Sequence, residues 1–268
     1  MYVCMSRGSR HKMAKVKVLM LRAPGTNCDF ETQVAYEMAG AEVDSALVTE
    51  LFRKEKHLMD YQIMIIPGGF TYGDDISAGK IMANEIRLRL GGDIGTFVDD
   101  GRLVMGVCNG FQVLVKARIL PGFDGQDSQP MTLTANDSGK FECRWIYLKI
   151  NEDSPCVFTR GMHSLYIPVN HGEGKLVAGP DILDKLNIVA QYTDEAGNME
   201  AGYPHNPNGS LRDIAGICDP TGRIFALMPH PERFLRWTQH PRWTRETPRN
   251  TGDGLQIFLN AVAWVKGI

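Results

Sequence analysis

The chain has 268 residues, 43% hydrophobic and 22% charged, and its 29 Lys and Arg against 31 Asp and Glu leave a formal net charge of −2. This balance is typical of an ordinary soluble globular protein with a sizeable core, and it excludes disorder, a collagen-like repeat or a coiled coil. It argues against nucleic acid or an anionic membrane as the main partner, and no apolar run reaches the roughly 18 residues of a membrane helix.

The N-terminal residues and the cysteines bear on processing and location. Residues 1–12 precede a second methionine, Met13, and we expect them to be a poorly ordered extension of one domain over residues 13–268. Lys15 and Lys17 interrupt the apolar stretch that follows, which argues against a secretory signal. The six cysteines include no CxxC pair, so we expect no metal site, reduced thiols and a cytoplasmic location.

The first half of the chain alternates strand and helix patterns. In order, these are strand Lys15–Leu21, helix Phe30–Ala39, strands Ala41–Val48 and Tyr61–Ile66, helix Ile81–Leu90, a short helix Ile94–Asp100, strand Arg102–Val107 and helix Gly110–Ala117. Asp29 is expected to cap the first helix, which Gly40 ends. Buried strands alternating with helices predict an α/β fold with a doubly wound, mostly parallel sheet flanked by helices.

The second half is mostly strand-like, with Gly, Asn, Asp and Pro between the runs. The predicted strands are Met131–Asn136, Phe141–Ile150, Tyr166–Asn170, Leu176–Val177, Asn187–Tyr192, Asp213–Cys218 and Arg223–Met228, and a terminal helix follows at Leu255–Val265. These short runs predict an antiparallel β layer added to the α/β domain.

The sharpest chemical signal is the segment around Cys108, where a buried strand leads into Gly106-Val-Cys-Asn-Gly110 and then a helix. This is the nucleophile-elbow pattern with cysteine in the serine position, in which a tight turn exposes the nucleophile. The helix dipole lowers the pKa of a thiol at its N-terminus, and the N–H of Asn109 is placed to stabilise an oxyanion. A buried structural cysteine beside a turn is the alternative interpretation.

A second signal follows the strand that ends at Met228, where the sequence is Pro229-His-Pro-Glu-Arg233. Pro231 favours extended chain before it, so His230 and Glu232 are expected to face one way. An imidazole and a carboxylate arranged in this way complete a Cys-His-Glu triad, with His230 as base and Glu232 as its orienting partner. A loop histidine beside a surface glutamate is the alternative.

A third signal is Pro67-Gly-Gly-Phe70, at the end of another predicted strand. Glycines there allow close approach of the backbone to a ligand, and the N–H of Gly69 is a candidate second oxyanion donor. An ordinary glycine turn is the alternative. All three signals fall at strand carboxyl ends, where open α/β sheets bind ligands.

These residues resemble the class I, or triad, glutamine amidotransferases. The narrower resemblance is to the glutaminase subunits of phosphoribosylformylglycinamidine synthase. It depends on blocks spread over about residues 16–265: Gly25–Asp29, Pro67–Asp74, Gly106–Gln112, Asn170–Gly174, Tyr203–Ser210, Ile214–Cys218 and Met228–Arg233. It implies hydrolysis of glutamine through a thioester on Cys108 in de novo purine (IMP) biosynthesis. It also implies that Gly68, Phe70, Gln112 and His171 bind the substrate.

The resemblance further implies that this chain holds no cofactor and supplies ammonia to a synthetase subunit that carries ATP and Mg²⁺; it leaves open a small third subunit. The segment Gly73–Lys80 superficially resembles a phosphate loop. However, five residues separate its glycines where four are required, and Ile81 stands where Ser or Thr should bind magnesium.

Three other functions stay open. A stand-alone γ-glutamyl hydrolase would use the same triad with a wider cleft, and a regulatory subunit would carry the same residues in an inactive site. A nucleic-acid module is suggested only by the segment Arg233–Arg245, which interleaves arginines with Trp237 and Trp243. That segment equally fits a surface loop or a surface for a partner protein. Cys28, which follows the first strand, is the only rival nucleophile.

Overall fold

The computed structural model describes residues 15–74, 77–122 and 129–268, so the extension expected at residues 1–12 lies outside the described part. In that part the strands are β1 Lys17–Arg22, β2 Glu42–Leu47, β3 Ile63–Ile66, β4 Leu103–Val107, β5 Met131–Thr134, β6 Glu142–Ile150, β7 Ser164–His171, β8 Lys175–Ala178, β9 Asn187–Thr193, β10 Ile214–Cys218 and β11 Ile224–Leu227. The α-helices are α1 Asp29–Met38, α2 Val48–Phe52, α3 Lys80–Arg89, α4 Gly91–Asp99, α5 Asn109–Lys116, α6 Pro180–Leu183 and α7 Leu255–Lys266.

Nine strands form one sheet in the order β2-β1-β3-β4-β11-β10-β9-β6-β7, and β5 and β8 form a separate antiparallel pair. The five strands from β2 to β11 are parallel. From β11 onward each neighbouring pair is antiparallel. Strand β11 therefore joins a parallel half to an antiparallel half.

The helices cover both faces of the parallel half. The connection from β1 to β2 runs in the opposite direction along the sheet from the connection between β3 and β4. Because such crossovers are right-handed, α1 lies on one face and α3 on the other. Helix α7 packs on α1, with Tyr36 and Phe258 in edge-to-face contact at 5.0 Å, and α3 packs on α5.

Burial differs between the centre of the sheet and its edge. Every residue of β3, β4, β10 and β11 is buried, as expected for strands covered on both faces. Strand β7 at the sheet edge instead alternates between buried and partly exposed residues. Among the described residues, no helix has the length and apolar character needed to cross a membrane.

The predicted fold class is confirmed, with two differences in detail. Most antiparallel strands extend the main sheet, and among the strands of the described ranges only β5 and β8 form an added layer. The expected N-cap is wrong: Cys28 occupies that position, while Asp29 is the first residue of α1 and pairs with Arg22 at 2.9 Å. Helices α2 and α6 were not predicted because each is only about one turn long.

Strand direction also locates a crevice. The chain proceeds from β1 to β2 in one direction along the sheet and from β3 to β4 in the other, so the topological switch point lies between β1 and β3. Ligands of open α/β sheets bind outside the carboxyl ends of the strands at such a point. The residues following β1, β3, β4 and β11 therefore define the candidate site.

Candidate active site

Cys108 lies at the tight turn from β4 into α5. Its backbone has φ 52° and ψ −105°, a conformation that costs a non-glycine residue about 1–3 kcal/mol. Gly110 makes the turn possible, because a Cβ there would lie 2.0 Å from the carbonyl oxygen of Ile66. The Cys108 sulfur is 3.5 Å from the carbonyl oxygen of Asn170, at the end of β7. The elbow predicted from the glycine spacing is thus present.

His230 follows β11, the strand beside β4. Its Nδ1 lies 2.6 Å from Oε1 of Glu232, and both side chains are buried. Its backbone N–H donates to the carbonyl of Pro168 in β7 at 2.8 Å. Its Nε2 is buried and has no hydrogen-bond partner among the described residues, which leaves this nitrogen for a reacting group.

The electrostatics of His230 favour its protonated form. Burial acts to lower the pKa of His230, but the negative charges of Glu232 and Cys108 outweigh it and raise the pKa well above its ordinary value. Together, these charges favour proton transfer from the thiol to the imidazole. The expected extended geometry is wrong, because Pro231–Arg233 form a 3-10 turn. The turn nevertheless brings Glu232 onto His230.

The backbone N–H groups of Gly69 and Asn109 are the two candidate oxyanion donors. Neither N–H donates to an acceptor within the described ranges. Gly69 has φ 151°, and a Cβ there would lie 2.8 Å from the backbone nitrogen of Asn27. The side chain of Asn109 is occupied: its Oδ1 accepts from the Thr71 hydroxyl at 2.7 Å, and its Nδ2 donates to Gln112 at 2.9 Å. Only its N–H is free for a ligand.

A cavity of about 230 Å³ lies at these strand ends. Of the predicted site residues, those that line it are Cys108, His230, Gly69, Phe70, Gln112 and His171. Glu232 and Asn109 are buried behind it. Gly68 is also outside the lining, and its lack of a side chain makes room for His230, since a Cβ would lie 2.8 Å from the imidazole Cε1.

The candidate substrate-binding side chains differ in how free they are. The Gln112 amide is already used, because it accepts from Asn109 and donates to the backbone carbonyl of Glu173. Phe70 is 45% exposed and lies at the rim beside Phe141, with ring centroids 6.2 Å apart. Gln112 therefore shapes the wall, whereas Phe70 is accessible from outside.

His171 is buried at the end of β7. Its Nδ1 lies 3.1 Å from Oδ1 of Asn136. Burial and the nearby charge of His230 lower the pKa of His171 to about 3. The imidazole is therefore neutral near pH 7.

Several other residues that line the cavity were not among the predicted site residues. These are Asn27, Cys28, Asp74, Asn170, Glu173 and Arg233. All but Asn170 and Glu173 end or directly flank a glycine-rich or proline-rich segment after a parallel strand. Their positions in segments that follow parallel strands could have identified them as candidate site residues.

Cys28 lies beside the base, not at the nucleophile position. Its sulfur accepts a hydrogen bond from Nη2 of Arg233 at 3.1 Å and is 3.9 Å from Nδ1 of His230. Cys28 is buried at the N-terminus of α1. The nucleophile-elbow geometry is found at Cys108, and Cys28 packs against the base and its neighbouring guanidinium.

Cys28, His230 and Glu232 are also the one group of three possible metal ligands found within residues 15–74, 77–122 and 129–268. The ligand atoms already have partners, since Nδ1 of His230 faces Glu232 and the Cys28 sulfur faces Arg233. A guanidinium within 3.1 Å of the sulfur also opposes binding of a cation. We therefore interpret these three residues as a candidate base, His230, with Glu232 and Cys28 packed around it, and not as a metal site.

The segment that suggested nucleic-acid binding packs against the antiparallel half. Trp237 is only 6% exposed, and it stacks on His240 at 4.7 Å and under Arg249 at 4.7 Å. Arg242 lies 5.9 Å from the ring of Tyr166 in β7. Trp237 is therefore not available to stack on bases, whereas Trp243 is 47% exposed.

Several known proteins are similar to this chain in sequence. A family model described as the CobB/CobQ-like glutamine amidotransferase domain matches residues 15–265. The phosphoribosylformylglycinamidine synthase subunit PurQ of Dehalococcoides mccartyi is 56% identical over 256 residues, covering 96% of this chain and 100% of that protein. The subunit of the same name from Methanococcus maripaludis is 42% identical, covering 92% of this chain and 97% of that protein.

A solved structure gives the same result. A chain in the structure of PurLQS from Thermotoga maritima matches with a TM-score of 0.70 at 30% identity, covering 94% of this chain and 100% of that chain. The fold and the family match define a glutamine amidotransferase. More narrowly, the chain belongs to the PurQ family of phosphoribosylformylglycinamidine synthase subunits. The resemblance found in the motifs is thereby confirmed.

Proposed function

We propose that this chain hydrolyses glutamine through a γ-glutamyl thioester on Cys108 and passes the ammonia to a synthetase subunit of phosphoribosylformylglycinamidine synthase. The observation that carries the proposal is the convergence of Cys108 with the buried His230–Glu232 pair, joined at 2.6 Å, at the ends of two neighbouring parallel strands. The 56% identity to a PurQ subunit supports the same assignment.

In the first half of the reaction, Nε2 of His230 takes the thiol proton of Cys108, and the sulfur attacks the carboxamide carbon of glutamine. The oxyanion that forms is stabilised by the N–H groups of Gly69 and Asn109. The imidazolium returns its proton to the amide nitrogen, the C–N bond breaks, and ammonia leaves. A γ-glutamyl thioester remains.

In the second half, His230 takes a proton from water, and the hydroxide attacks the thioester carbon. The C–S bond breaks, glutamate leaves, and the sulfur regains its proton from His230. Throughout, Glu232 holds the imidazole in position and stabilises its charged form. The pKa of His230, raised by Glu232 and Cys108, favours the ion pair from which the attack starts.

The proposal assigns ATP and Mg²⁺ to the synthetase subunit, which would activate the amide acceptor. It assigns no cofactor to this chain and leaves open a small third subunit. The chain would work in the cytoplasm, which is consistent with free thiols at all five described cysteines.

The rim of the cavity favours a subunit of a larger enzyme over the stand-alone γ-glutamyl hydrolase. The exposed Phe70 and Phe141 at its rim suit contact with another protein, because large exposed aromatic side chains are enriched at interfaces.

The test is the glutaminase rate of the purified chain alone and with the purified synthetase, ATP, Mg²⁺ and the ribonucleotide acceptor. We expect a low rate alone and activation by the complete mixture. Full activity that no partner changes would favour the stand-alone hydrolase. Labelling with an electrophilic glutamine analogue tests the inactive-subunit alternative, which requires that Cys108 form no adduct even in the complex.

A further inference from the structure

The two candidate oxyanion donors lie on separate segments of the chain. Gly69 follows β3, and Asn109 begins α5 after β4. The pairing of the two parallel strands ends with Ile66 beside Gly106, so the ladder itself does not reach either donor. An oxyanion is stabilised best when each N–H lies about 2.7–3.1 Å from it. Contacts beyond the strand pairing must therefore fix how the two segments lie relative to each other.

One such contact joins the segments directly. The hydroxyl of Thr71, two residues after Gly69, donates to Oδ1 of Asn109 at 2.7 Å, and the Thr71 backbone N–H donates to the same oxygen at 3.4 Å. Thr71 is 2% exposed and Asn109 is fully buried. Because a backbone N–H can only donate, these contacts also fix which end of the Asn109 amide is the oxygen. Thr71 is thus bonded to the residue whose own N–H is the second donor.

The Asn109 side chain bridges the nucleophile helix and the segment after β3. Its Nδ2 donates to Oε1 of Gln112, one turn along α5, at 2.9 Å, and to Oδ1 of Asp74 at 3.3 Å. Its Oδ1 is bonded to Thr71. A buried amide oxygen that loses its hydroxyl partner carries a cost in free energy, which the structure relieves by shifting one segment against the other.

The segment after β3 is held on its other flank by the loop after β1. The N–H of Phe70 donates to the carbonyl of Gly25 at 2.9 Å, and the N–H of Tyr72 donates to the carbonyl of Pro24 at 2.7 Å. These bonds fix the segment to β1, whereas the hydroxyl of Thr71 fixes it to α5. The contact with Asn109 therefore sets a distance that the other bonds leave undetermined.

The backbone around Thr71 is strained. Thr71–Asp74 forms a 3-10 turn in which Tyr72 has φ 56° and Asp74 has φ 54°, values that non-glycine residues seldom adopt. Such conformations persist only where surrounding contacts hold them. Both ends of this turn are bonded to the amide of Asn109. The turn is thus shaped to hold that one side chain.

We infer that Thr71 is a positioning residue whose hydroxyl, by holding Asn109, sets the separation of the two oxyanion donors. Thr71 does not line the cavity, so it acts through Asn109 and not on the substrate. The inference rests on the proposed function, in which the oxyanion forms from the carboxamide of glutamine. Because a misplacement of 1 Å can lower a rate by about 100-fold, loss of the hydroxyl should appear in kcat.

The experiment uses the full chain in complex with its synthetase. Thr71→Val is the main variant, since it keeps the side-chain shape and removes the hydroxyl, and Thr71→Ser restores the hydroxyl. Thr32→Val is the matched control, because Thr32 is fully buried and its hydroxyl donates to a backbone carbonyl of α1, that of Cys28, also at 2.7 Å.

Two rates are measured for each variant. One is glutamine turnover. The other is alkylation of Cys108 by iodoacetamide, followed by mass spectrometry of the peptide that carries Cys108. In alkylation the sulfur attacks a CH₂ carbon, the C–S bond forms, the C–I bond breaks and iodide leaves. Since no oxyanion forms, this rate reports the reactivity of the thiol without the two donors.

We expect Thr71→Val to lower kcat by about 10- to 100-fold, with KM within about 3-fold and the alkylation rate within about 2-fold of the wild type. Thr71→Ser should recover most of kcat. Thr32→Val should keep the wild-type kcat, although both valine variants lose a buried hydrogen bond and should be less stable to urea.

Asn109→Ala tests whether Thr71 acts through Asn109. This change removes the acceptor of the Thr71 hydroxyl but keeps the backbone N–H. In the Asn109→Ala background, Thr71→Val should lower kcat by less than about 2-fold further, because the bond is already absent. Asn109→Ala also tests the same bond if Thr71→Val does not fold.

Three results would overturn the inference alone: wild-type kcat in folded Thr71→Val, equal losses of turnover and alkylation in that variant, or losses that multiply in the double variant. A wild type that never turns over glutamine, even in the complex, would instead overturn the proposed function and this inference with it.

Discussion

The parallel and antiparallel halves of the sheet contribute different things to the site. The parallel half supplies the proposed reacting groups, with Cys108 after β4 and His230 after β11. The antiparallel half supplies positioning: the β7 carbonyl of Pro168 accepts from His230, and that of Asn170 lies 3.5 Å from the Cys108 sulfur. Cys108 and His230 thus follow central strands that are covered on both faces. Contacts with β7, the edge strand of the antiparallel half, help to position them.

The largest expected effect is loss of the nucleophile in the parallel half. Cys108→Ala should lower glutamine-dependent turnover by about 10⁵-fold or more, as loss of a nucleophile does in other triads. Cys28→Ala is the matched control, because it removes a buried thiol at the N-terminus of α1 and should change the rate by less than about 10-fold. Steady-state ammonia release measures both. A large loss in Cys28→Ala with normal turnover in Cys108→Ala would reverse the assignment.

The base and its orienting carboxylate should differ in the same assay. His230→Ala removes the proton carrier, whereas Glu232→Gln removes the charge but keeps an oxygen near Nδ1. We expect the loss in kcat to be about 10- to 100-fold smaller for Glu232→Gln. Equal losses in two folded variants would contradict these separate roles.

Close packing at the elbow can be tested on stability. Gly110→Ala should destabilise the fold by about 3 kcal/mol, because the new Cβ would lie 2.0 Å from the carbonyl oxygen of Ile66. Gly95→Ala, on the exposed face of α4 with nothing within 4 Å, should instead stabilise it by about 0.5–1 kcal/mol. Urea unfolding measures both. Similar values at the two positions would show that the turn relaxes.

The smallest expected effect lies in the antiparallel half and depends on pH. Because the folded pKa of His171 is lowered to about 3, the folded chain binds fewer protons than the unfolded chain below pH 6.5. Its stabilising contribution is present above pH 6.5 and is lost as the pH falls toward 3. Between pH 7 and pH 5 this loss is about 2 kcal/mol.

His171→Gln removes that titration, so its stability should fall by about 2 kcal/mol less than that of the wild type between pH 7 and pH 5. His163→Gln, at a side chain that is 75% exposed, is the matched control and should follow the wild type. Urea unfolding at the two pH values measures this difference. Identical pH dependence in His171→Gln and the wild type would mean that the buried imidazole is protonated in the fold.

The parallel half could be predicted from sequence because its signals are local. Continuous apolar runs next to glycines predict β3 and β4, and the glycines around Cys108 predict the turn into α5. The antiparallel strands were also located, but their sheet order was not. The pairing of β7 with β6 at the edge of the sheet depends on packing between distant segments. The residue pattern of one strand does not predict its partner strand.

The same limit applies to the site. Cys108, His230 and Glu232 could be proposed because each lies in a distinctive segment. The burial of His171, the use of the Gln112 amide within the wall and the bond between Thr71 and Asn109 depend on contacts between distant segments. Sequence motifs therefore indicate candidate reacting residues, but they do not show which side chains in the cavity have hydrogen-bond partners.

The position of β11 has a consequence for the growing polypeptide. This strand pairs with β4 in the middle of the sheet, yet about 115 residues separate them along the chain. Until β11 emerges from the ribosome, the strand that carries the nucleophile has an unpaired edge, and such edges invite aggregation. The base follows β11 immediately, so the same event that closes this edge also delivers His230. If His230 is the base, a nascent chain gains it only when β11 has been made and can pair with β4.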